Sequence, residues 1–238
     1  MAAPTAPTAR ARVRAELTQE ILDAGKAQLA EHGAAALSLR AVARDVGMVS
    51  SAVYRYFPSR DHLLTALIVD AYDGLGATVE DAVRDIRTAD FARRWMTMAR
   101  SIRDWATANP HEYALIYGSP VPGYQAPVTT IGPATRVSLL MIQLLIDAAA
   151  AGQLNERELH APLPRPLRAD LVQIRATFGT VSDATIVHAL TAWTALFGLV
   201  SFELFGQFHN VIAAHDEFFD AAVRELGTFV GLPLAKRP

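Results

Sequence analysis

Residues 37–68 read LSLRAVARDVGMVSSAVYRYFPSRDHLLTALI and contain two short helical patterns on either side of a glycine. The first pattern places its apolar residues at the i, i+3, i+4, i+7 spacing of one buried helix face. These residues are Leu39, Val42, Ala43 and Val46. We expect Ser38 to cap this helix and Gly47 to end it, because glycine readily adopts the left-handed conformation that closes a helix.

A second short helix is expected after this turn, capped by Ser50 or Ser51 and stopped by Pro58. Val53 and Phe57 would lie on its inner face. Longer helical patterns precede and follow the pair. Two short helices joined by a glycine-containing turn, and braced on both sides by other helices, indicate a helix-turn-helix unit.

The side chains around the second helix suit a nucleic-acid surface. A helix that enters the major groove needs small or polar side chains at its N-terminal end and longer donors beside them. Residues with this distribution are Ser50, Ser51, Ala52, Tyr54, Arg55 and Tyr56. Arg40 can reach a guanine edge, and Arg60 can reach a phosphate. The same pattern also fits an ordinary helical corner with a solvated face.

The composition favours a soluble helical protein in a reducing compartment. The chain has 238 residues and no cysteine, which excludes disulfides and cysteine-based metal sites. Residues 1–62 carry eight Lys and Arg residues against six Asp and Glu residues, whereas the remainder carries 14 against 18. No segment resembles a signal peptide, and the apolar segments at 139–151 and 192–205 look too short or too interrupted to span a bilayer. We therefore expect a cytoplasmic protein.

Signals for catalysis are missing from the sequence. The seven histidines do not show metal-ligand spacing. The chain contains no glycine-rich phosphate loop, no Gly-x-Ser-x-Gly elbow and no paired-carboxylate motif. The sequence therefore predicts no enzyme activity, no cofactor and no metal site.

Residues 13–70 closely resemble the DNA-binding segment of the TetR family of bacterial regulators. The resemblance is carried by the following matches: Ser38-Leu39-Arg40, Val42-Ala43, Gly47, Val53-Tyr54-x-Tyr56-Phe57, Arg60 and Leu63-Leu64. It implies base or groove contacts from Arg40, Ser50, Ser51, Ala52 and Arg55. It also implies phosphate contacts from Ser38, Tyr54, Tyr56 and Arg60.

One position departs from the family pattern. Val49 stands where the family usually has Ser or Thr, and a valine side chain cannot cap a helix. Ser50 is then the expected cap, which weakens the case for Ser50 as a base-reading residue.

The C-terminal half resembles the Trp-His-Gly type of TetR-family ligand domain. The resemblance rests on ANPHEYALIYGSPVPGYQAP at 108–127 and on Trp193-x-x-x-Phe197-Gly198. Phe197 occupies the position of the histidine that helps to name this domain, so any polar role of that histidine is absent here. Later in the chain, we expect Asp183 to cap a strongly apolar helix that runs to about Phe208.

We therefore predict an all-α fold. Residues 1–14 would form a flexible basic arm, and residues 15–60 a three-helix helix-turn-helix DNA-binding domain. Residues 61–238 would form a C-terminal helical domain for ligand binding and dimerisation. The family resemblance implies that the last two long helices make the dimer and that small molecules bind among the middle helices.

Two sets of residues follow from this expectation. An interior rich in aromatic residues and methionine suits an apolar or aromatic effector. The candidate pocket residues are Trp95, Met98, Trp105, Tyr113, Tyr117, Met141, Phe178 and Trp193, each of which also fits plain core. The candidate dimer-interface residues are Leu196, Leu199, Phe202, Phe205, Phe218 and Val223, for which a fully buried central helix is the alternative.

The predicted function is that of a DNA-binding transcriptional regulator, a repressor that a small-molecule ligand releases from a palindromic operator. Its expected partners are double-stranded DNA, a second copy of the chain and the effector. The alternative is an all-helical ligand-binding or interaction protein whose helix-turn-helix is vestigial. Retention of Arg40, Tyr54, Tyr56 and Arg60 beside an arginine-rich N-terminal segment favours the regulator.

Overall fold

A computed structural model describes residues 8–179 and 181–234, apart from the side chains at positions 177 and 178. Regular structure within these ranges is entirely helical, as the sequence predicted. The helices are α1 (Ala9–His32), α2 (Leu39–Asp45), α3 (Ser50–Val53), α4 (Arg60–Val83), α5 (Phe91–Ala108), α6 (Pro110–Tyr117), α7 (Ile131–Ala150), α8 (Arg165–Phe178), α9 (Asp183–Leu204) and α10 (His215–Phe229). Two 3₁₀ turns, Ala34–Ala36 and Val128–Thr130, precede α2 and α7.

The described chain divides into two compact units. Unit 1 contains the residues up to Tyr72 together with Asn109–Pro133. Unit 2 contains Asp73–Ala108 and the residues from Ala134 onward. The change from one unit to the other at Tyr72 falls within α4.

Unit 1 is built on an apolar core shared by α1, α2, α3 and α4. Its most deeply buried side chains include Ile21, Val42, Val53, Leu63 and Leu64, all at 0% exposure. The periodic apolar positions predicted from the sequence therefore do face the core. This core fixes the orientation of the two short helices.

An ion-pair network connects three helices of unit 1. Lys26 Nζ on α1 lies 2.6 Å from Asp70 Oδ2 on α4 and 3.1 Å from Glu112 Oε2 on α6. Burial alone would lower the pKa of Lys26, but the hydrogen bonds to Asp70 and Glu112 outweigh it and raise the pKa. The ammonium group thus stays charged and holds α4 and α6 to α1.

The N-terminal segment differs from the predicted flexible arm at 1–14. Helix α1 already begins at Ala9, and the Thr8 hydroxyl accepts a hydrogen bond from the Ala11 N–H at 3.2 Å. Arg10, Arg12 and Arg14 therefore lie on the first turns of a helix. Residues 1–7 of the predicted arm lie outside the described residues.

Unit 2 packs α5 against α9 and α10. The apolar side of α5 is buried, with Trp95, Met98 and Ile102 at 2% exposure or less. On the polar side of the same helix, the Arg103 guanidinium donates to Glu203 on α9 at 2.7 and 2.6 Å and to Asp216 on α10 at 2.7 Å. Both ion pairs therefore hold α9 and α10 to α5.

The predicted cap of α9 was wrong by one residue. Ser182, not Asp183, is the N-cap, and its Oγ accepts a hydrogen bond from the Thr185 N–H at 3.2 Å. Asp183 is the first helical residue and pairs with Arg175 on α8. The helix ends at Leu204 rather than near Phe208.

Two helices are longer than the apolar segments judged from the sequence. By length and composition alone, Val128–Ala150 and Asp183–Leu204 could each cross a membrane. Each helix is longer than its most apolar segment because it begins several residues before that segment. Buried residues on α7 and α9, such as Leu144 and Leu196, pack into unit 2. Core helices of soluble proteins can have the same length and apolar composition as a membrane-spanning helix. The length of these helices is therefore weak support for a membrane span.

Candidate nucleic-acid interface and interior cavity

The turn between α2 and α3 has the geometry that the sequence predicted. Gly47 has φ +68°, the left-handed conformation in which a side chain is strained. The Gly47 N–H donates to the Arg44 carbonyl at 3.1 Å, and the Met48 N–H donates to the Ala43 carbonyl at 2.8 Å. These bonds satisfy the last carbonyls of α2, and the chain then turns into α3.

The first residue of the predicted interface, Ser38, is at the N-cap of α2 but does not cap it through its side chain. Its backbone N–H donates instead to Gln28 Oε1 at 3.2 Å, and Gln28 Nε2 donates to Asp45 Oδ2 at 3.0 Å. One buried glutamine of α1 thus holds both ends of α2. Ser38 therefore occupies the predicted N-cap position, but the expected cap through its side chain was wrong.

The predicted cap of α3 was also wrong. Val49 is the N-cap residue, Ser50 is the first helical residue, and no side chain caps this short helix. Neither serine hydroxyl is therefore used as a cap. The Val49 side chain is 70% exposed beside them, a feature that the sequence reading treated only as a lost cap.

The remaining predicted contact residues lie on α2, on α3 and in the turn after α3. Arg40, Ser51, Tyr54 and Arg55 are exposed, whereas Ser50, Ala52 and Tyr56 are half-buried. Arg40 and Arg55 form no ion pair or hydrogen bond with any residue that the structure describes. Two guanidinium groups without a protein partner are available to bind phosphates or base edges. Arg44, which the sequence reading did not single out, is exposed on the same helix as Arg40.

The Tyr56 ring contacts an arginine within unit 1. The Arg14 guanidinium carbon lies 5.2 Å from the centroid of the Tyr56 ring, within cation–π range. This contact places an arginine of α1 beside the helix-turn-helix. An arginine near Tyr56 adds to the positive charge available at this surface.

Arg60 has a different environment from the other predicted phosphate ligands. Its guanidinium donates to the carbonyls of Ala34 at 2.8 Å, Ala35 at 3.2 Å and Leu37 at 3.2 Å. These carbonyls belong to the turn that leads into α2. Arg60 therefore braces the start of the helix-turn-helix, and a phosphate contact from it remains a prediction.

Unit 2 contains a cavity of about 370 Å³ among α5, α7, α8 and α9. Three predicted pocket residues, Trp95, Met141 and Trp193, line it. Trp95 is held in place because its indole N–H donates to the Val223 carbonyl at 2.8 Å. The other lining residues were not predicted from the sequence. They include Thr135, Ser138, Leu139, Ile142, Ala189 and Leu190.

The other predicted pocket residues lie elsewhere. Met98 and Trp105 are buried in unit 2 but do not line this cavity. Tyr113 and Tyr117 belong to unit 1, where their ring centroids lie 5.1 Å apart. Burial, helped by the neighbouring Tyr72 and Tyr113, raises the pKa of Tyr117 above its ordinary value. The side chain of Phe178 lies outside the described part of the structure.

The predicted dimer residues divide into two groups. Leu196 and Val223 are fully buried within the protomer, so their side chains serve its own core. Phe202 and Phe205 are 53% and 47% exposed. A groove of about 510 Å³ on α9 and α10 is lined by Leu199, Phe202 and Phe218, among other residues.

No group of three metal-ligating side chains occurs in the described ranges. Nothing in this part of the molecule therefore points to a metal centre.

Comparison with known proteins places both halves of the chain. Residues 21–67 match the family described as "Bacterial regulatory proteins, tetR family". Residues 95–226 match the "Tetracyclin repressor-like, C-terminal domain". The Trp-His-Gly subtype of that domain remains a prediction.

Several individual proteins are similar over the chain. It is 42% identical to the HTH-type transcriptional regulators Mb1846 of Mycobacterium bovis and Rv1816 of Mycobacterium tuberculosis over 220 residues, covering 91% of this chain and 93% of each relative. The crystal structure of regulatory protein SCO4313 superimposes with a TM-score of 0.72 at 34% identity, covering 92% of this chain and 98% of that one. The HTH-type transcriptional repressor LfrR of Mycolicibacterium smegmatis is 40% identical over 78 residues, 33% of this chain and 40% of that protein.

These matches cover the helix-turn-helix, the helical C-terminal half and most of the chain at once. A family of transcriptional regulators explains the exposed arginines of α2 and of the turn after α3. The chain belongs to the TetR family of bacterial helix-turn-helix transcriptional regulators.

Proposed function

We propose that this regulator is a cytoplasmic homodimeric repressor that binds a palindromic operator and is released from it by a small molecule. Residues 15–60 form the DNA-binding domain in this proposal, and residues 61–238 bind the effector and a second copy of the chain. The observation that carries the proposal is the exposed surface around Arg40, Tyr54 and Arg55, where Arg40 and Arg55 have no partner among the described residues. Repression is supported by the similarity of 78 residues to LfrR, which is named a repressor.

Dimerisation follows from the small size of a single helix-turn-helix. One such unit reads few base pairs, so two units on a two-fold axis, spaced by about 34–36 Å, give useful specificity. The exposed aromatic residues Phe202 and Phe205 support an interface on α9 and the start of the loop after it. We exclude Leu196 and Val223 from this proposed interface because they are buried within the protomer.

Release by a ligand is supported by the cavity in unit 2. A small molecule that prefers one conformation of the dimer lowers DNA affinity by its difference in affinity for the two conformations. The cavity is mainly apolar and of the size that holds compact ligands.

The test is selection of operators from a pool of random duplexes by the purified protein at two salt concentrations. We expect an enriched palindrome whose affinity falls steeply as salt rises, because bound arginines displace counterions from phosphates. No enriched sequence from a folded, ligand-free protein would overturn the proposal. That result would favour a helical ligand-binding protein whose helix-turn-helix is vestigial.

A further inference from the structure

The lining of the unit 2 cavity carries information about the charge of its ligand. Thirteen residues of the described part of the chain line the cavity, and none of these has an ionisable side chain. The polar side chains among them are the hydroxyls of Thr135 and Ser138 and the indoles of Trp95 and Trp193. The cavity is partly open to solvent, since Leu139 is 46% exposed, but an ionised group placed among its apolar residues would lose hydration without gaining an opposite charge, which is costly.

Arginines next to the lining residues in sequence are neutralised by partners within unit 2. Arg136, which follows Thr135, donates to Asp73 Oδ1 at 2.7 Å and to the two carboxylate oxygens of Glu80 at 2.9 and 2.7 Å. Arg94, which precedes Trp95, donates to Asp147 Oδ2 at 2.8 Å. A carboxylate or sulfonate in the cavity would have to compete with these acidic partners for either arginine.

The Ser138 hydroxyl offers a hydrogen-bond acceptor to a ligand. Its hydroxyl donates to the Thr135 carbonyl at 2.9 Å. The hydroxyl proton is thereby used, and the lone pairs of Ser138 Oγ remain able to accept a hydrogen bond. A ligand with an N–H or O–H group satisfies this acceptor.

The two tryptophans of the lining favour aromatic ligands. Trp95 is only 2% exposed, and its indole N–H is bound to the Val223 carbonyl, so it presents carbon surface to the cavity. Trp193 lies on the lining as well, with its ring held by Phe197 at a centroid distance of 5.7 Å. Aromatic rings pack well against such surfaces in offset or edge-to-face arrangements.

We propose that this cavity binds an uncharged aromatic molecule of two or three rings that carries one hydrogen-bond donor, and that it discriminates against ionised analogues. The inference rests on the proposed function, because the cavity is taken as the effector site. The ligand preference of the cavity is measured without DNA, so its test is independent of whether the ligand releases the operator.

The first experiment compares two fluorescent probes with one shared skeleton. N-phenyl-naphthylamine is uncharged and has one N–H donor, and anilinonaphthalene sulfonate adds one sulfonate. We expect saturable binding of the uncharged probe to the full-length protein, with enhanced probe emission. The sulfonate should bind at least about tenfold more weakly, because its charge would be buried without a partner. Equal or tighter binding of the sulfonate would overturn the proposal.

Two substitutions place the binding in the cavity. Ala189→Phe fills the space and should abolish binding of the uncharged probe, whereas Ala150→Phe, at an exposed position on α7, should not. Ser138→Ala should weaken binding of the uncharged probe by about three- to tenfold, the effect of one hydrogen bond. Thr194→Ala, which removes an exposed hydroxyl of α9, is its control. Unchanged binding in Ala189→Phe would show that the probe binds elsewhere and would overturn the assignment.

A gel shift on the selected operator separates the two proposals. Binding of the uncharged probe without release of DNA would leave the cavity chemistry intact and contradict the effector role. Release of DNA by the sulfonate but not by the uncharged probe would contradict the inferred ligand class and leave ligand-responsive regulation standing.

Discussion

At the scale of single residues, Arg40 is the side chain whose surroundings most favour reading DNA. It is exposed on α2 and has no partner among the described residues. We expect Arg40→Ala to weaken binding to the selected operator by about 1–3 kcal/mol, the value of one bidentate arginine–guanine contact. Fluorescence anisotropy with labelled duplexes measures this loss.

A matched control for this substitution is Arg93→Ala, which removes one exposed arginine from α5 in unit 2. It changes the net charge equally and should leave operator affinity nearly unchanged. If both variants bind the operator as tightly as the parent protein, Arg40 is not a contact residue. The oligomeric state is measured in parallel so that loss of the dimer is not mistaken for loss of a contact.

Two glycines of unit 2 give opposite expectations for stability. A Cβ on Gly74, inside α4, would approach Trp105 no closer than 3.5 Å, an ordinary contact. A Cβ on Gly227 would lie 2.7 Å from Trp95 Nε1, whose ring is buried and hydrogen-bonded. We expect Gly74→Ala to stabilise the protein by about 0.5–1 kcal/mol and Gly227→Ala to destabilise it by about 1–3 kcal/mol. Urea unfolding measures both, and a stable Gly227→Ala variant would mean that Trp95 can move.

The sequence predicted side chains well where periodicity or backbone conformation dictates them. Gly47 is an example, because the left-handed turn after α2 favours glycine. Contacts whose partners are distant along the chain left no sign in the sequence. Arg60, predicted as a phosphate ligand, also binds the carbonyls of Ala34 and Ala35 about 25 positions earlier. No local pattern encodes that contact.

At the scale of helices, Arg136 on α7 clamps two positions of α4. It is bound to Asp73 and Glu80, and its side chain passes close to Gly76, where a Cβ would lie 2.8 Å from its Nε. The hydrogen bond from Arg136 lowers the pKa of Glu80 from 4.5, against the opposing effect of its burial. A carboxylate with a lowered folded-state pKa adds stability above its unfolded pKa and loses it as the pH falls through the folded value.

Arg136→Met is therefore expected to lower the free energy of unfolding at neutral pH and to matter less in acid. The loss should stay below about 1 kcal/mol, because the acidic partners are partly exposed to solvent. The difference from the parent protein should shrink as the pH falls from 4.5 through the lowered pKa of folded Glu80, because the protonated carboxyl no longer pairs with Arg136. Arg93→Met is the control for a lost surface charge. A difference that persists in acid would assign the effect to packing rather than to the ion pair.

The ends of the helices were harder to predict than their positions. Apolar spacing located the helices, yet α1 begins at Ala9, in a segment read as a flexible arm. Three arginines and no apolar face mark its first turns, so periodicity gives no signal there. The cap of α9 was predicted at Asp183 but is Ser182. Both residue types can cap a helix, and only the backbone conformation decides between them.

At the scale of the whole molecule, the interface and the cavity differ in how far they could be predicted. The proposed DNA-binding surface is contiguous in sequence, so α2, α3 and the turn between them could be predicted as one motif. The cavity draws residues from four helices, and only Trp95, Met141 and Trp193 were predicted for it. The i, i+3, i+7 spacing of Thr135, Ser138 and Ile142 puts them on one face of α7, but small polar side chains at this spacing also occur on solvated helix faces.

The proposed dimer interface includes Phe202. Phe202 is a 53% exposed aromatic side chain that lines the groove of α9 and α10 with Leu199 and Phe218. A glutamate there would be buried unpaired in an apolar interface, so Phe202→Glu should shift the dimer toward monomer. Operator affinity should fall by about a hundredfold or more, since two linked half-site contacts gain from their effective concentration.

Sedimentation measures the mass, and anisotropy compares a full palindrome with a single half-site. The control is Val172→Glu, which places the same charge on a 63% exposed apolar residue of α8. We expect this variant to remain a dimer and to prefer the palindrome. In Phe202→Glu the advantage of the palindrome over the half-site should disappear, because each monomer then binds alone. A dimer that persists in Phe202→Glu would place the interface on another face of the protein.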